Sequence, residues 1–176
     1  INFLSTPMSK GAAVILDELG LDSVKIGSAD ILDFNMLDYV AGFSKEVIMS
    51  TGMSTIDEIK KSVGFLKSQK LNISLLHCVS KYPCPASELN LNMMEFLKNE
   101  FNLPVGFSDH SIDNKSALVA VALGAEIIEK HFTLSRGFYG ADHRFSQEPK
   151  DFSLMVSEIR KLESSPSLKE ELLKSQ

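Results

Sequence analysis

Val105-Gly106-Phe107-Ser108-Asp109-His110 and, one unit later, Glu126-Ile127-Ile128-Glu129-Lys130-His131-Phe132-Thr133 are the stretches whose reading decides the fold. Each contains an apolar run of strand character and continues into polar and imidazole side chains. Between them residues 116–123 are almost wholly apolar and stop at Gly124, the pattern of a helix and its C-terminal glycine. A strand–helix–strand unit with a right-handed crossover makes the two strands parallel and usually neighbours, about 4.8 Å apart. His110 and His131 are therefore expected to emerge side by side at one edge of a sheet. Two neutral imidazoles with open positions beside them suit a divalent metal. Two unrelated, hydrogen-bonded histidines are the other reading, and the residues alone leave both open.

The same rhythm runs through the chain. Apolar runs at 1–4, 24–27, 47–49, 73–78, 104–107 and 125–129 alternate with amphipathic segments, which predicts an α/β fold with a parallel sheet. Helices are expected over 11–19, ending at Gly20, over 35–41, and after the Thr55-Ile56-Asp57-Glu58 capping box. Further apolar stripes run along 91–101 and 150–163, where Met and Phe at helical spacing read as core. Ser164-Ser165-Pro166-Ser167 reads as a break, and 168–176 as a short polar tail or linker. Polar residues follow nearly every strand. That favours a (β/α)8 TIM barrel, which gathers its strand ends round one mouth, over an open sheet with one switch point. About six strand–helix units are present, the third to the eighth of such a barrel. The expected division is a partial barrel over residues 1–164 and a tail over 165–176. The start at Ile1 suggests a piece of a longer protein.

Composition narrows the function. The chain has 176 residues, 44% hydrophobic and 23% charged, with a net charge of -5. That charge gives no electrostatic case for nucleic acid or an anionic membrane surface. No apolar run approaches the roughly 18 residues of a membrane span, and no signal peptide is visible. Two cysteines, Cys78 and Cys84, make no disulfide framework and fit a reduced cytoplasm. An anionic substrate would need local donors. Thr6, Ser28, Ser50 and Ser108 stand at or just past strand ends, with Lys25 inside a strand run. Hydroxyls, backbone N–H groups and one ammonium bind phosphate; local capping is the alternative for each hydroxyl. Lys130 is placed like Lys25 and could pair with Glu129 or Asp30. Ser80 to Pro85 is a proline-fixed loop offering Tyr82 to a ligand, and 136–144 is a polar loop able to cover a mouth. His77 reads as a hydrogen-bonded interior histidine and Cys78 as buried filler.

Taken together, Phe3-Leu4-Ser5-Thr6-Pro7, Lys25-Ile26-Gly27-Ser28, Ser50-Thr51-Gly52-Met53, Tyr82-Pro83, Gly106-Phe107-Ser108-Asp109-His110, Glu129-Lys130-His131-Phe132-Thr133 and Ala141-Asp142-His143 resemble the catalytic domain of the sialic acid synthase family. That family includes N-acetylneuraminate, legionaminate and pseudaminate synthases. The resemblance implies a (β/α)8 barrel that condenses phosphoenolpyruvate with an N-acetylmannosamine-type sugar, with manganese or magnesium as cofactor. It implies that His110 and His131 hold the metal, that Thr6, Lys25, Ser28, Ser50 and Ser108 hold phosphoenolpyruvate, and that Ser80, Tyr82 and Asp142 face the sugar. Asp30 and Lys25 are the implied catalytic residues. Asp30 stands where glutamate is more usual, one methylene longer, and Ser80 where some members have asparagine. The resemblance further implies two earlier strand–helix units, a C-terminal antifreeze-like domain and a homodimer in the full-length protein. The isolated chain is accordingly expected to be inactive. A Schiff-base aldolase on Lys25 or Lys130, and a non-catalytic sugar-phosphate binding remnant, are the competing readings.

Overall fold

Local chemistry sets the helix boundaries. In the computed structural model, which describes residues 2–174, helix α1 spans Lys10–Glu18, with the Ser9 hydroxyl accepting from Ala12 N. It stops as expected at Gly20, whose φ of 72° is a left-handed conformation that costs glycine little. Helix α2 covers Phe34–Phe43 behind the Asp33 cap. Helix α3 covers Ile56–Ser68, and the capping box is complete: Glu58 N donates to Thr55 Oγ1 at 3.3 Å and Thr55 N to Glu58 Oε2 at 2.7 Å. Strands β1 (Ser23–Ile26), β2 (Glu46–Ser50), β3 (Asn72–Cys78), β4 (Val105–Asp109) and β5 (Ile128–Lys130) alternate with α2 to α5, where α4 is Met93–Phe101 and α5 is Lys115–Ala122. Helices α6 (Pro149–Ser164) and α7 (Pro166–Lys174) follow. The strand order is β1-β2-β3-β4-β5.

The chain forms two compact units, Ile1–Leu76 with Leu97–Pro104, and His77–Phe96 with Val105–Gln176. In the first, β1 and β2 pair in parallel with Lys25 opposite Ile48, and β2 and β3 with Ser50 opposite Leu76. Val24, Ile26, Val47, Met49, Leu75 and Leu76 are fully buried. Near-continuous burial along a strand is the mark of a parallel sheet covered on both faces, and each such side chain contributes roughly 1.5–3 kcal/mol. In the second unit β4 and β5 pair in parallel, with Ser108 opposite Glu129 and Asp109 opposite Lys130. No helix among the described residues is long and apolar enough to cross a membrane.

Three expectations change. The strand expected at 1–4 is not formed over its described residues: Phe3 and Leu4 are exposed, and the sheet contact is a single bridge from Ser5 to Val24. Ile1 lies outside the described residues. The last strand spans only Ile128–Lys130, three residues later than expected, although Glu126 N already donates to the Val105 carbonyl at 2.9 Å and Phe107 N to the Ile127 carbonyl at 2.8 Å. The segment read as a tail or linker is helical over Pro166–Lys174 and packs on α5 and α6. Its Leu168 and Leu172 line a cleft with Leu118 and Leu162, an apolar pairing that a reading of its charged residues overlooked.

Candidate active site

Strand alternation builds the second unit's site. Ser108 and His110 stand two residues apart at the end of β4, and Glu129 and His131 two apart at the end of β5, so each pair shares a face. The parallel register then brings the pairs together. Ser108 Oγ donates to Glu129 Oε1 at 2.7 Å. The ring centroids of His110 and His131 are 5.5 Å apart, close to edge-on. His110 Nδ1 lies 2.7 Å from the Val79 carbonyl. A carbonyl only accepts, so Nδ1 carries the proton and Nε2 keeps its lone pair, 3.3 Å from Ser108 Oγ. Burial, aided by the neighbouring His131, pulls the His110 pKa below the ordinary histidine value against the opposing pull of the Val79 carbonyl. The neutral imidazole is thereby favoured.

Aromatic rings wall this pair. The Tyr82 centroid is 4.1 Å from that of His110, 5.6 Å from His131 and 5.6 Å from Phe145. Phe145 in turn lies 5.2 Å from His131. Burial is the main reason the Tyr82 pKa rises above its usual value, so the phenol stays a neutral donor. Asp142 is exposed, its Oδ2 3.7 Å from His131 Nδ1, beyond hydrogen-bond length. Ser80 is half-buried in the loop after β3.

The donor set fits a divalent cation. One imidazole has its tautomer fixed by a carbonyl, a second stands beside it, and the Glu129 carboxylate is held close by. Among the described residues no group of three or more His, Cys, Asp or Glu side chains is placed to hold a metal ion, so Glu129 does not join the two imidazoles as a third ligand. The two imidazole nitrogens are the donors here that could hold a divalent cation, with its remaining positions left to other ligands.

The first unit holds the hydroxyl set. Thr6 and Asp30 approach the same glycine: a Cβ added at Gly27 would sit 3.4 Å from Asp30 Oδ2 and 3.7 Å from Thr6 Cγ2. Ser28 Oγ accepts from Gly52 N at 3.0 Å, and Thr51 Oγ1 donates to the Leu76 carbonyl at 3.0 Å, so these two hydroxyls hold backbone. Ser50 Oγ and Asp30 Oδ2 differ. Both are buried, and neither has a hydrogen-bond partner among the described residues. Lys25 is buried within β1.

Lys130 corrects an expectation. It pairs with neither Glu129 nor Asp30; its Nζ donates to Asp109 Oδ2 at 2.7 Å, because the parallel register sets those two residues opposite each other. His77 is, as expected, interior, with Nε2 2.7 Å from the Leu89 carbonyl. Glu129, considered from sequence only as a partner for Lys130, belongs beside Ser108. The two-residue spacing to His131 was the signal that could have found it. Phe145 had no such signal, since a long irregular loop brings it back to His131.

The NeuB family profile matches residues 1–170. The chain is 42% identical over 166 residues to the N,N'-diacetyllegionaminic acid synthase of Campylobacter jejuni, covering 93% of this chain and 50% of that protein. It superimposes on the spore coat polysaccharide biosynthesis protein SpsE of Bacillus subtilis with a TM-score of 0.90 at 36% identity, over 98% of this chain and 48% of that one. The N-acetylneuraminic acid synthetase of Leptospira borgpetersenii, solved with citrate, gives 0.85 at 39% identity over 89% and 55%. The chain thus spans about half the length of the curated relatives it matches. Parallel strands alternating with helices, in a fold superimposing on these structures, make it a partial (β/α) barrel. With nearly its whole length matched, this chain belongs to the NeuB family.

Proposed function

We propose that the whole protein condenses phosphoenolpyruvate with an N-acetylmannosamine-type sugar to give a nonulosonic acid and phosphate. The observation that carries the reading is the His110–His131 pair, 5.5 Å between centroids, with His110 Nδ1 anchored so that Nε2 is free to ligate. His110 and His131 would hold manganese or magnesium, which when bound supplies Lewis-acid polarisation of the open-chain sugar's aldehyde. The enol carbon of phosphoenolpyruvate forms the new C–C bond to the aldehyde carbon. Water adds at C2, and phosphate leaves by cleavage of its C–O bond. Thr6, Lys25, Ser28, Ser50 and Ser108 hold phosphoenolpyruvate, and the partnerless buried hydroxyl of Ser50 supports that role. Asp30, with a buried carboxylate oxygen likewise unpartnered, orients or deprotonates the water. Ser80, Tyr82 and Asp142 face the sugar. Holding both reactants in one orientation supplies much of the rate.

A Schiff-base route through Lys130 is disfavoured. Its Nζ donates to Asp109 Oδ2, the Ser111 carbonyl and the Asp113 carbonyl, which occupies all three ammonium protons. A nucleophilic lysine must be neutral. Burial does lower the Lys130 pKa against the pull of Asp109, so what opposes this route is the three contacts the amine would have to give up. The test offers the full-length protein phosphoenolpyruvate and a panel of 2-acetamido and 2,4-diacetamido hexoses, reading phosphate release and product mass. Chelator is expected to abolish turnover and manganese to restore it. Turnover indifferent to chelator, with an adduct trapped by borohydride, would overturn the metal reading; binding without product would favour the non-catalytic remnant. The same reading places the full-length protein in the cytoplasm as a homodimer, checked by fractionation and sedimentation, and assigns the 176-residue chain alone no turnover.

A further inference from the structure

We propose that Lys130 and Gln147 are positioning residues, two buried cross-ties that fix the separation of the segments carrying His110 and His131. The inference rests on reading that pair as metal ligands. Lys130 immediately precedes His131. Its side chain is 1% exposed and that of Asp109 0%. Nζ reaches Asp109 Oδ2 at 2.7 Å, the Ser111 carbonyl at 2.8 Å and the Asp113 carbonyl at 2.7 Å. Asp109 and Ser111 are the residues on either side of His110, and Asp109 Oδ1 accepts from Ser111 N at 2.8 Å. One ammonium therefore grips the backbone flanking one imidazole from the residue beside the other.

Gln147 makes the second tie from another element. It is 1% exposed, unusual for a glutamine. Its backbone N donates to the His131 carbonyl at 2.8 Å, and its carbonyl accepts from Thr133 N at 2.9 Å. Its side-chain Nε2 donates to the Ile112 carbonyl, two residues past His110. Buried polar groups of this kind persist only when satisfied, and here each satisfaction ends on a histidine-bearing segment. The groups that orient metal ligands typically govern metal affinity by about 10–100-fold.

Gln147→Met is the primary test. It keeps the volume and the backbone bonds and removes only the donor to Ile112. Lys130→Met is the larger change. Imidazole 15N spectra of the full-length protein, taken before any metal is added, give a readout that needs no metal, with His77, bonded to Leu89, as internal control. Both variants are expected to shift or broaden His110 and His131 while His77 stays put. Titration with Mn2+ alone should then show affinity falling about 10-fold for Gln147→Met and up to about 100-fold for Lys130→Met. Should Lys130→Met fail to fold, Gln147→Met decides. Folded variants with unchanged imidazole signals and Mn2+ affinity within about twofold of the parent would overturn the cross-ties, leaving a purely structural role. A full-length parent protein that binds no Mn2+, with variants that still shift both imidazoles, would sink the metal reading and leave the cross-ties standing.

Discussion

The polar strand ends of the two units are built on different principles. In the second unit three side chains of the histidine site are held by protein: His110 by Val79, Ser108 by Glu129, Lys130 by Asp109 and two carbonyls, while the His131 ring, among the described residues, meets only aromatic rings and the distant Asp142 carboxylate. In the first unit Ser50 Oγ and Asp30 Oδ2 are buried without a partner among the described residues. A satisfied network holds a geometry ready for a ligand. An unsatisfied buried group is a standing cost of about 1–3 kcal/mol, tolerable where a ligand repays it. On the proposed reading, the histidine end would be largely preformed and the hydroxyl end completed by what it binds.

The largest expected effect breaks the preformed end. His110→Ala or His131→Ala in the full-length protein should lower turnover on the order of a thousandfold, since a Lewis acid is worth several kcal/mol to the transition state. Mn2+ binding should be lost while the fold, read by circular dichroism, is kept. Variants that still bind Mn2+ at parental affinity would remove the histidines from the site. A middling effect sharpens the other end. Ser50→Ala deletes a buried hydroxyl with no hydrogen-bond partner among the described residues, so stability should hold or rise. The same change should raise the KM for phosphoenolpyruvate about tenfold, as loss of a hydrogen bond to a charged group does. A destabilised Ser50→Ala with an unchanged KM would mean the hydroxyl works for the fold and not for a ligand.

Which parts were legible from sequence follows from the same contrast. Alternation along β4 and β5 and the glycine after α5 were enough to set His110 beside His131, because period and crossover handedness leave little choice of geometry. The capping box of α3 and the glycine stop of α1 were legible for the same local reason. Lys130's partner was not, since several carboxylates were candidates and only the register of β5 against β4 selects Asp109. Phe145 and Gln147 were invisible: an irregular loop carries them back to His131, and loop paths have no period to read. Helix α7 was missed because its charged residues outweighed Leu168 and Leu172, which need α5 and α6 before their spacing means anything.

The smallest effect tests the two units against each other through pH. All four histidines, His77, His110, His131 and His143, lie in the second unit and none in the first. Burial lowers the pKa of His77 from its reference of 6.5, with the Leu89 carbonyl opposing it weakly. His110 is shifted in the same direction. Above pH 6.5 these imidazoles are neutral whether folded or unfolded and contribute no pH dependence. As pH falls through 6.5 the unfolded chain takes up protons that the buried rings refuse, so stability drops until the folded pKa values are reached. Hydrogen exchange followed from neutral to mildly acidic pH, corrected for intrinsic rates, should therefore show protection falling more in the second unit than in the first. His77→Gln keeps a donor for Leu89 but cannot titrate, and should flatten the acid limb of the denaturant midpoint. An acid limb unmoved by His77→Gln would show that the buried imidazole is protonated as readily in the fold as out of it, and equal loss of protection in both units would show that they open together.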